Sequence, residues 1–260
     1  TGGSSVPRLT RWKWAEWAQT AYAEFTERPP EIIAVDTETT GLGFYDEPFA
    51  ATVTWRDGEE LRSFYFELVE PLAYSTIKAI LRQMLRSTPA WVFHNAKFDL
   101  QKLKLAGIID DEMLQGRELH DTQTQYMLLD ENGRKGLKDL AVRVLHYDDT
   151  VRVPYADSKR RKQWPDVYRE VSREKHLLDK ARRKLGLTKD DGYHLLPREI
   201  LVPYAMRDTE FTLQLHEKLY PQILAKDEAL QQLYRDEIQL QLVLLRMEED
   251  GFALDVPYVE

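Results

Sequence analysis

No cysteine occurs in the 260 residues. Disulfides, thiolate nucleophiles and zinc sites built on cysteine are therefore excluded. Positive charge is also short: 36 lysines and arginines stand against 44 aspartates and glutamates, giving a formal net charge of -8. Bulk charge thus argues against nonspecific adhesion to a polyanion, although a site that gathers cations would invert the sign locally. No apolar run reaches membrane-spanning length and no secretory pattern opens the chain, so no membrane association and a cytoplasmic location are expected. The 12 glycines do not gather into a phosphate-cradling loop. The first residues, TGGSSVP, carry no Met and read as a tag remnant or a processed end.

What is present is patterned hydrophobicity, at 43% of residues. TRWKWAEWAQTAYAEFTERPP starts on a capping Thr10, stops at Pro29-Pro30, and sets Trp14, Trp17, Ala18, Ala21 and Phe25 on one helical stripe. That tryptophan cluster reads as core. EIIAVDTE reads as a short strand, and ATVTWRDGEELRSFYFEL as a hairpin turning at Asp57-Gly58. STIKAILRQMLRST predicts a helix capped by Ser75, AWVFHN a strand, and residues 96–106 a helix; DTQTQYMLLD and GLKDLAVRVL predict two more. Strands in a run, then interleaved with helices, imply a mixed sheet covered by helices. From Asp148 to Pro197 the chain is charge-dense, but Val167, Val171, Leu178, Ala181 and Leu185 keep helical spacing, which predicts one long amphipathic helix. Helices follow over residues 198–224 and over EALQQLYRDEIQLQLVLLRMEEDG, the last ending at Gly251.

Four acids then stand out. Asp36 and Glu38 lie two residues apart at the end of a strand, so alternation puts both on one face and Thr37 on the other. Asp99 follows Asn95 by four residues, about one helical turn, just past the strand AWVF. Asp208 follows Tyr204 by the same interval on a later helix. Singly, each has an ordinary reading: a turn residue, a helix cap, or a solvated charge beside a packed ring. If they converge, repulsion makes the cluster costly unless hard cations bind there. Carboxylates without His or Cys suit magnesium or manganese, and paired ions suit in-line displacement at a phosphodiester. His94, His120 and His216 show no metal-binding spacing in the sequence and read as satisfied or solvated side chains.

VDTETTGL, VFHNAKFDL and YAMRDTEFTLQLH together resemble the three exonuclease motifs of the DEDD superfamily, and Tyr204-x-x-x-Asp208 resembles its tyrosine branch. HDTQTQYMLLD with GLKDLA resembles the stretch between the second and third motifs in the proofreading 3′-5′ exonuclease domain of family A, Pol I-like DNA polymerases. LLRMEEDGFALD resembles the segment that opens the polymerase region. The resemblance spans most of residues 31–260 and is thinnest between 148 and 197. It implies an α/β fold of the RNase H-like, DnaQ-like kind: a mixed sheet flanked by helices, with a helical insertion and a C-terminal helix leading into the polymerase region. It also implies three parts: residues 1–30 as remnant and helix, 31–222 as the exonuclease domain with an insertion at about 148–197, and 223–260 as the start of the polymerase region.

By the same resemblance, Asp36, Glu38, Asp99 and Asp208 would hold two divalent ions, Mg2+ or Mn2+, and act in catalysis with Tyr204. Nucleoside 5′-monophosphates would be released from a single-stranded DNA 3′ end. Thr37, Leu42, Asn95 and Phe98 would contact that end, Leu42 as a wedge and Phe98 by stacking. The partners would be DNA and a covalently attached polymerase domain, the state a monomer, the setting a bacterial or phage-infected cytoplasm. An RNase D-like exoribonuclease and a non-catalytic support module are the alternatives. The tail RMEEDGFALD speaks against the first, and the intact acids against the second. Two basic runs, Lys159 to Lys162 beside Trp164 and Tyr168, and Arg182 to Lys184, are candidates for phosphate contacts or simply for a solvated helix.

Overall fold

The computed structural model describes residues 13–69, 74–131, 133–146, 165–188 and 192–251. Helix α1, Lys13–Glu27, buries Trp14, Ala18, Ala21 and Phe25 as its spacing requires, with Trp17 half-buried against Phe64. Five strands follow: β1 Ile32–Thr39, β2 Pro48–Asp57, β3 Glu60–Glu67, β4 Ala90–Phe93 and β5 Glu118–Asp121. They form one sheet in the order β3-β2-β1-β4-β5. The β1–β2 and β2–β3 pairs are antiparallel, and the β1–β4 and β4–β5 pairs are parallel. This is the expected mixed sheet of the RNase H-like fold. The hairpin turns at Gly58, whose φ of 63° is open to glycine at no steric cost.

The remaining described helices are α2 Tyr74–Ser87, α3 Ala96–Leu105, α4 Asp111–Leu114, α5 Thr122–Leu129, α6 Leu137–Leu140, α7 Pro165–Val171, α8 Arg173–Lys184, α9 Arg198–Leu224 and α10 Glu228–Asp250. One face of the sheet, with Ile33, Val35, Val53, Trp55, Phe64 and Phe66, belongs to the main apolar core together with α1 and α2. The other face is covered by α9: Ala34 and Val92 meet Leu213 there. The middle of that face is not apolar. Thr54 bonds Thr209 at 2.7 Å, and the Thr52 hydroxyl donates to the Ala205 carbonyl at 3.4 Å. Small hydroxyl side chains let the helix approach the strands closely without orphaning polar groups.

Bidentate ion pairs fix α9 along its length. Arg198 grips the buried Glu67 at the end of β3, at 2.6 and 3.0 Å, and Arg56 of β2 grips Glu217, at 2.6 Å through both nitrogens. A planar fork on a carboxylate fixes direction as well as distance. Tyr204 and Asp208, one turn apart between those clamps, are thereby set over the C-terminal end of β1.

Three expectations change. The long helix between 165 and 185 is two helices, interrupted at Ser172 (φ -96°, ψ 10°). Val171 and Leu178 are buried, but Leu185, at the C-terminal end of the second helix, is exposed. GLKDLAVRVL is helical only over α6 and then widens into a π-helical segment, Ala141–His146. Ser75 lies inside α2, which already begins at Tyr74, so it is not the cap. The final helix ends at Gly251 as expected, with φ 62° and its N–H on the Met247 carbonyl. The Thr10 cap, the basic run Lys159 to Lys162 with Trp164, and the tail beyond Gly251 lie outside the described residues.

Candidate active site

Strand alternation works as written. Asp36 pairs with Thr52 and Glu38 with Ala50, so both acids face α9, while Thr37 faces the opposite side. There the Thr37 N–H and hydroxyl both donate to one oxygen of Asp99, at 2.9 and 2.7 Å. Asp99 is thus drawn from the first turn of α3 to the tip of β1. Thr37, expected against DNA, has its side chain committed to Asp99.

The four acids sense one another. Burial raises the Asp36 pKa well above the usual carboxylate range, and the charges of Asp99, Glu38 and Asp208 push it further. Glu38 is lifted to about 8, first by burial, then by Asp208 and Asp99. Asp99 is lifted to about 7 by burial, against the two Thr37 bonds that favour its ionised form. Asp208 is raised by burial too, while Lys138 and the Tyr204 hydroxyl pull it back. Asp36 thus feels all three of the others and Glu38 feels Asp208 and Asp99, which places the acids in one electrostatic unit. The tyrosine of the unit, Tyr204, is pushed well above its ordinary value by burial and by Asp208 and Glu38, so it stays a neutral hydroxyl.

The donor set is all oxygen, which fits hard divalent cations. As placed, no three acidic or histidine side chains among the described residues stand close enough together to ligate one ion. The reason lies in the contacts: Asp208 is turned to the Lys138 ammonium, and Asp99 to Thr37.

The outlying candidates are arranged as follows. Leu42 projects from the loop after β1, with 88% of its surface exposed, and Phe98 is half-buried on α3. The loop is held from beneath by Lys102, whose buried stem carries its ammonium to the carbonyls of Gly43 and Phe44, the latter at 3.1 Å. Asn95 is exposed and left-handed (φ 77°), a conformation asparagine tolerates better than most residues. Because it precedes the helix, its side chain does not continue the face of Asp99, and it makes no capping bond.

Several residues were not singled out by sequence. Asp121, at the end of β5, accepts from the N–H groups of Asn95 and Ala96 at the start of α3 and of Gln123 and Thr124 at the start of α5. An Asp directly before a helical run is a capping signal, so this one was readable. Lys138 on α6 and Lys175 on α8 flank Tyr204, at 5.1 and 6.0 Å from its ring centre. Tyr193 packs edge-on against the same ring. The charge-dense region therefore reaches the site through Lys175 and Tyr193.

His120 and His216 are satisfied from within. His120 bonds Tyr234 and Glu118, His216 bonds Gln125, and the two rings lie 4.4 Å apart. Burial, then the neighbouring His120, lowers His216 to about 3, which keeps it neutral. His94 bonds Thr122 at 2.8 Å. Among the described residues no helix is long and apolar enough to cross a membrane.

The chain is 34% identical to the DNA polymerase of Escherichia phage T5 over 168 residues, which is 64% of this chain and 17% of that protein. It is 27% identical to DNA polymerase DpoZ of Salmonella phage PMBT28 over 227 residues, 86% of this chain and 31% of that protein. The chain thus spans less than a third of either relative. Solved structures similar to it include Trypanosoma brucei RNase D, at 15% identity and a TM-score of 0.48, covering 79% of this chain and 62% of that one. Another is the POL domain of Pol1 from M. smegmatis in complex with DNA primer-template and dNTP, at 18% identity and a TM-score of 0.48, covering 95% and 32%. Residues 18–224 match the family described as 3′-5′ exonuclease. That match covers well over half the chain, which therefore belongs to the 3′-5′ exonuclease family of type A DNA polymerases.

Proposed function

We propose that this chain removes nucleotides from the 3′ end of single-stranded DNA as the proofreading part of a larger phage polymerase, whose polymerase region continues from about residue 223. The observation that carries the reading is that Asp36 and Glu38 on one face of β1, Asp99 held by Thr37 of the same strand, and Asp208 one turn from Tyr204 on α9 lie within electrostatic reach of one another.

Asp36, Glu38, Asp99 and Asp208 would hold two divalent ions, magnesium or manganese. When bound, the ions supply a nucleophile at neutral pH and neutralise charge developing on the scissile phosphate. Tyr204 and Glu38 orient the attacking water. The tyrosine acts as a hydrogen-bond donor and not as a base, because its pKa is raised away from neutrality. Thr37 fixes Asp99, Asn95 faces the terminal nucleotide, Leu42 wedges against the terminal base, and Phe98 offers a stacking face. Stacking is indifferent to base identity, which suits removal of any mispaired nucleotide. The protein acts as a monomer in the cytoplasm of the infected cell.

Labelled single-stranded DNA and RNA of one sequence, incubated with Mg2+, test the reading. DNA should be shortened from its 3′ end, EDTA should stop it, and RNA should be cut far more slowly. Equal rates on RNA would transfer the chain to ribonuclease chemistry. Metal affinity should rise steeply between pH 6 and pH 8. Glu38 near 8 and Asp99 near 7 must give up protons to take an ion, so binding is linked to proton release in that window. Calorimetry in buffers of different ionisation heat would measure the protons released.

Tyr204→Phe should lower the rate by about a hundredfold, the lower end for loss of one positioned polar group. Its metal affinity should match that of the unsubstituted protein. A collapse of metal affinity would instead make Tyr204 part of the scaffold of the acid group.

A further inference from the structure

Lys138 stands inside a group whose other members are acids. It lies on the short helix after Gly136, its side chain is 16% exposed, and its ammonium contacts Asp208, itself 11% exposed. The same nitrogen lies 5.1 Å from the Tyr204 ring centre and 4.9 Å from that of Phe211. Its stem is therefore enclosed by α9 and its charge directed at the acids. On β1 it faces Asp36 and Glu38, and on α9 Asp208; its charge favours the ionised form of all three. His94 also feels it, as a like charge that opposes protonation. Lys175 acts on Glu38 as well, but its own ammonium is bonded to Tyr193 and Asp179. Lys138 alone of the two touches an acid of the cluster.

Glu38, Asp99 and Asp208 are buried and Asp36 is half-buried, and acids grouped in this way call for a counter-charge. A tethered ammonium supplies one whenever no divalent ion is bound. We propose that Lys138 is the built-in counter-cation of the acid cluster: it holds Asp208 in the metal-free protein and competes with a divalent ion for that carboxylate. The proposal rests on the reading of the four acids as metal ligands.

Lys138→Met keeps the apolar stem on Phe211 and removes the charge. Mn2+ titrated into the metal-free protein by calorimetry should bind Lys138→Met about tenfold or more tightly, since one unit of like charge at contact range is gone. Lys138→Arg, which keeps the charge, should bind as the unsubstituted protein does. An unchanged or weaker affinity in Lys138→Met overturns the proposal while leaving the metal site in place. If Mn2+ binds neither the unsubstituted protein nor Lys138→Met, and Asp208→Asn changes nothing, the metal reading itself has failed. Should Lys138→Met not fold, the unsubstituted protein gives a second measure. Acetylation of Lys138 by acetic anhydride, followed by mass spectrometry, should rise severalfold on adding Mg2+ as Asp208 is taken from it. Equal or lower acetylation with Mg2+ overturns the proposal.

Discussion

Asp36→Ala should cut the rate of 3′-end trimming by at least about a thousandfold, the scale of several kcal/mol of lost charge stabilisation, and should leave the fold intact. Asp36 is the acid whose pKa responds to all three of the others, so it is the member through which the cluster communicates. The same physics fixes the sign of the stability change. A buried acid whose folded pKa is raised contributes stability that is present below its unfolded value, near 4, and is lost as pH rises through its folded value. Glu38 near 8 and Asp99 near 7 place the loss for the cluster between about pH 4 and pH 8. At pH 8 without metal, Asp36→Ala should therefore melt no lower than the unsubstituted protein, and the gap between them should shrink toward pH 5. Removing Glu38 in the same way should act in the same direction. Thermal melts in EDTA at the two pH values, beside a trimming assay in Mg2+, test both halves. Activity within tenfold of the unsubstituted protein would remove Asp36 from the site; a lower melting temperature at pH 8 would show that its role is structural.

The acids were legible because β-strand alternation and helical spacing are local rules. Asp36 with Glu38, and Tyr204 with Asp208, needed only the period of their own element. The helical stripe of α1 and the hairpin at Gly58 were legible for the same reason. What sequence did not yield was set by contacts between distant segments. β5 has four residues, ELHD, mostly polar, and forms a strand only because it pairs with β4 in parallel. Thr37 looked free to meet DNA, since nothing in VDTETTGL says that α3 will bring an aspartate to its hydroxyl. Nothing in GLKDLA sets Lys138 apart; α9 does, by bringing Asp208, Tyr204 and Phe211 against its ammonium. The break at Ser172 was hidden because the apolar spacing continues through it; the second helix is then turned to serve Tyr193 and the site. In each case a long-range contact overrode a sound local expectation.

Asp121→Ala should destabilise the protein by roughly 3–5 kcal/mol, the range for breaking a buried hydrogen-bond network. Asp121 is 2% exposed and serves two helices at once. Its Oδ1 accepts from Asn95 N at 3.1 Å, Gln123 N at 2.8 Å and Thr124 N at 3.4 Å. Its Oδ2 accepts from Ala96 N at 2.9 Å and from Gln241 Nε2, on α10, at 3.1 Å. The first N–H groups of a helix have no partner inside it, so one carboxylate here satisfies orphan donors of both α3 and α5. Alanine would leave them facing apolar surroundings and would free the left-handed turn at Asn95, which sets where Asp99 meets Thr37. Asparagine is the informative companion. It keeps the oxygen that Asn95, Gln123 and Thr124 share, but turns an NH2 toward the donors on Ala96 and Gln241, so its loss should be about half that of alanine. Denaturant unfolding in EDTA gives the energies, and a thermal midpoint lowered by roughly 10 °C or more should accompany the alanine change. Mn2+ affinity, measured well below that midpoint, should fall as well, since the start of α3 positions Asp99. A loss under about 1 kcal/mol would mean that water reaches these N–H groups, and unaltered Mn2+ affinity would mean that Thr37 alone is enough to hold Asp99 in place.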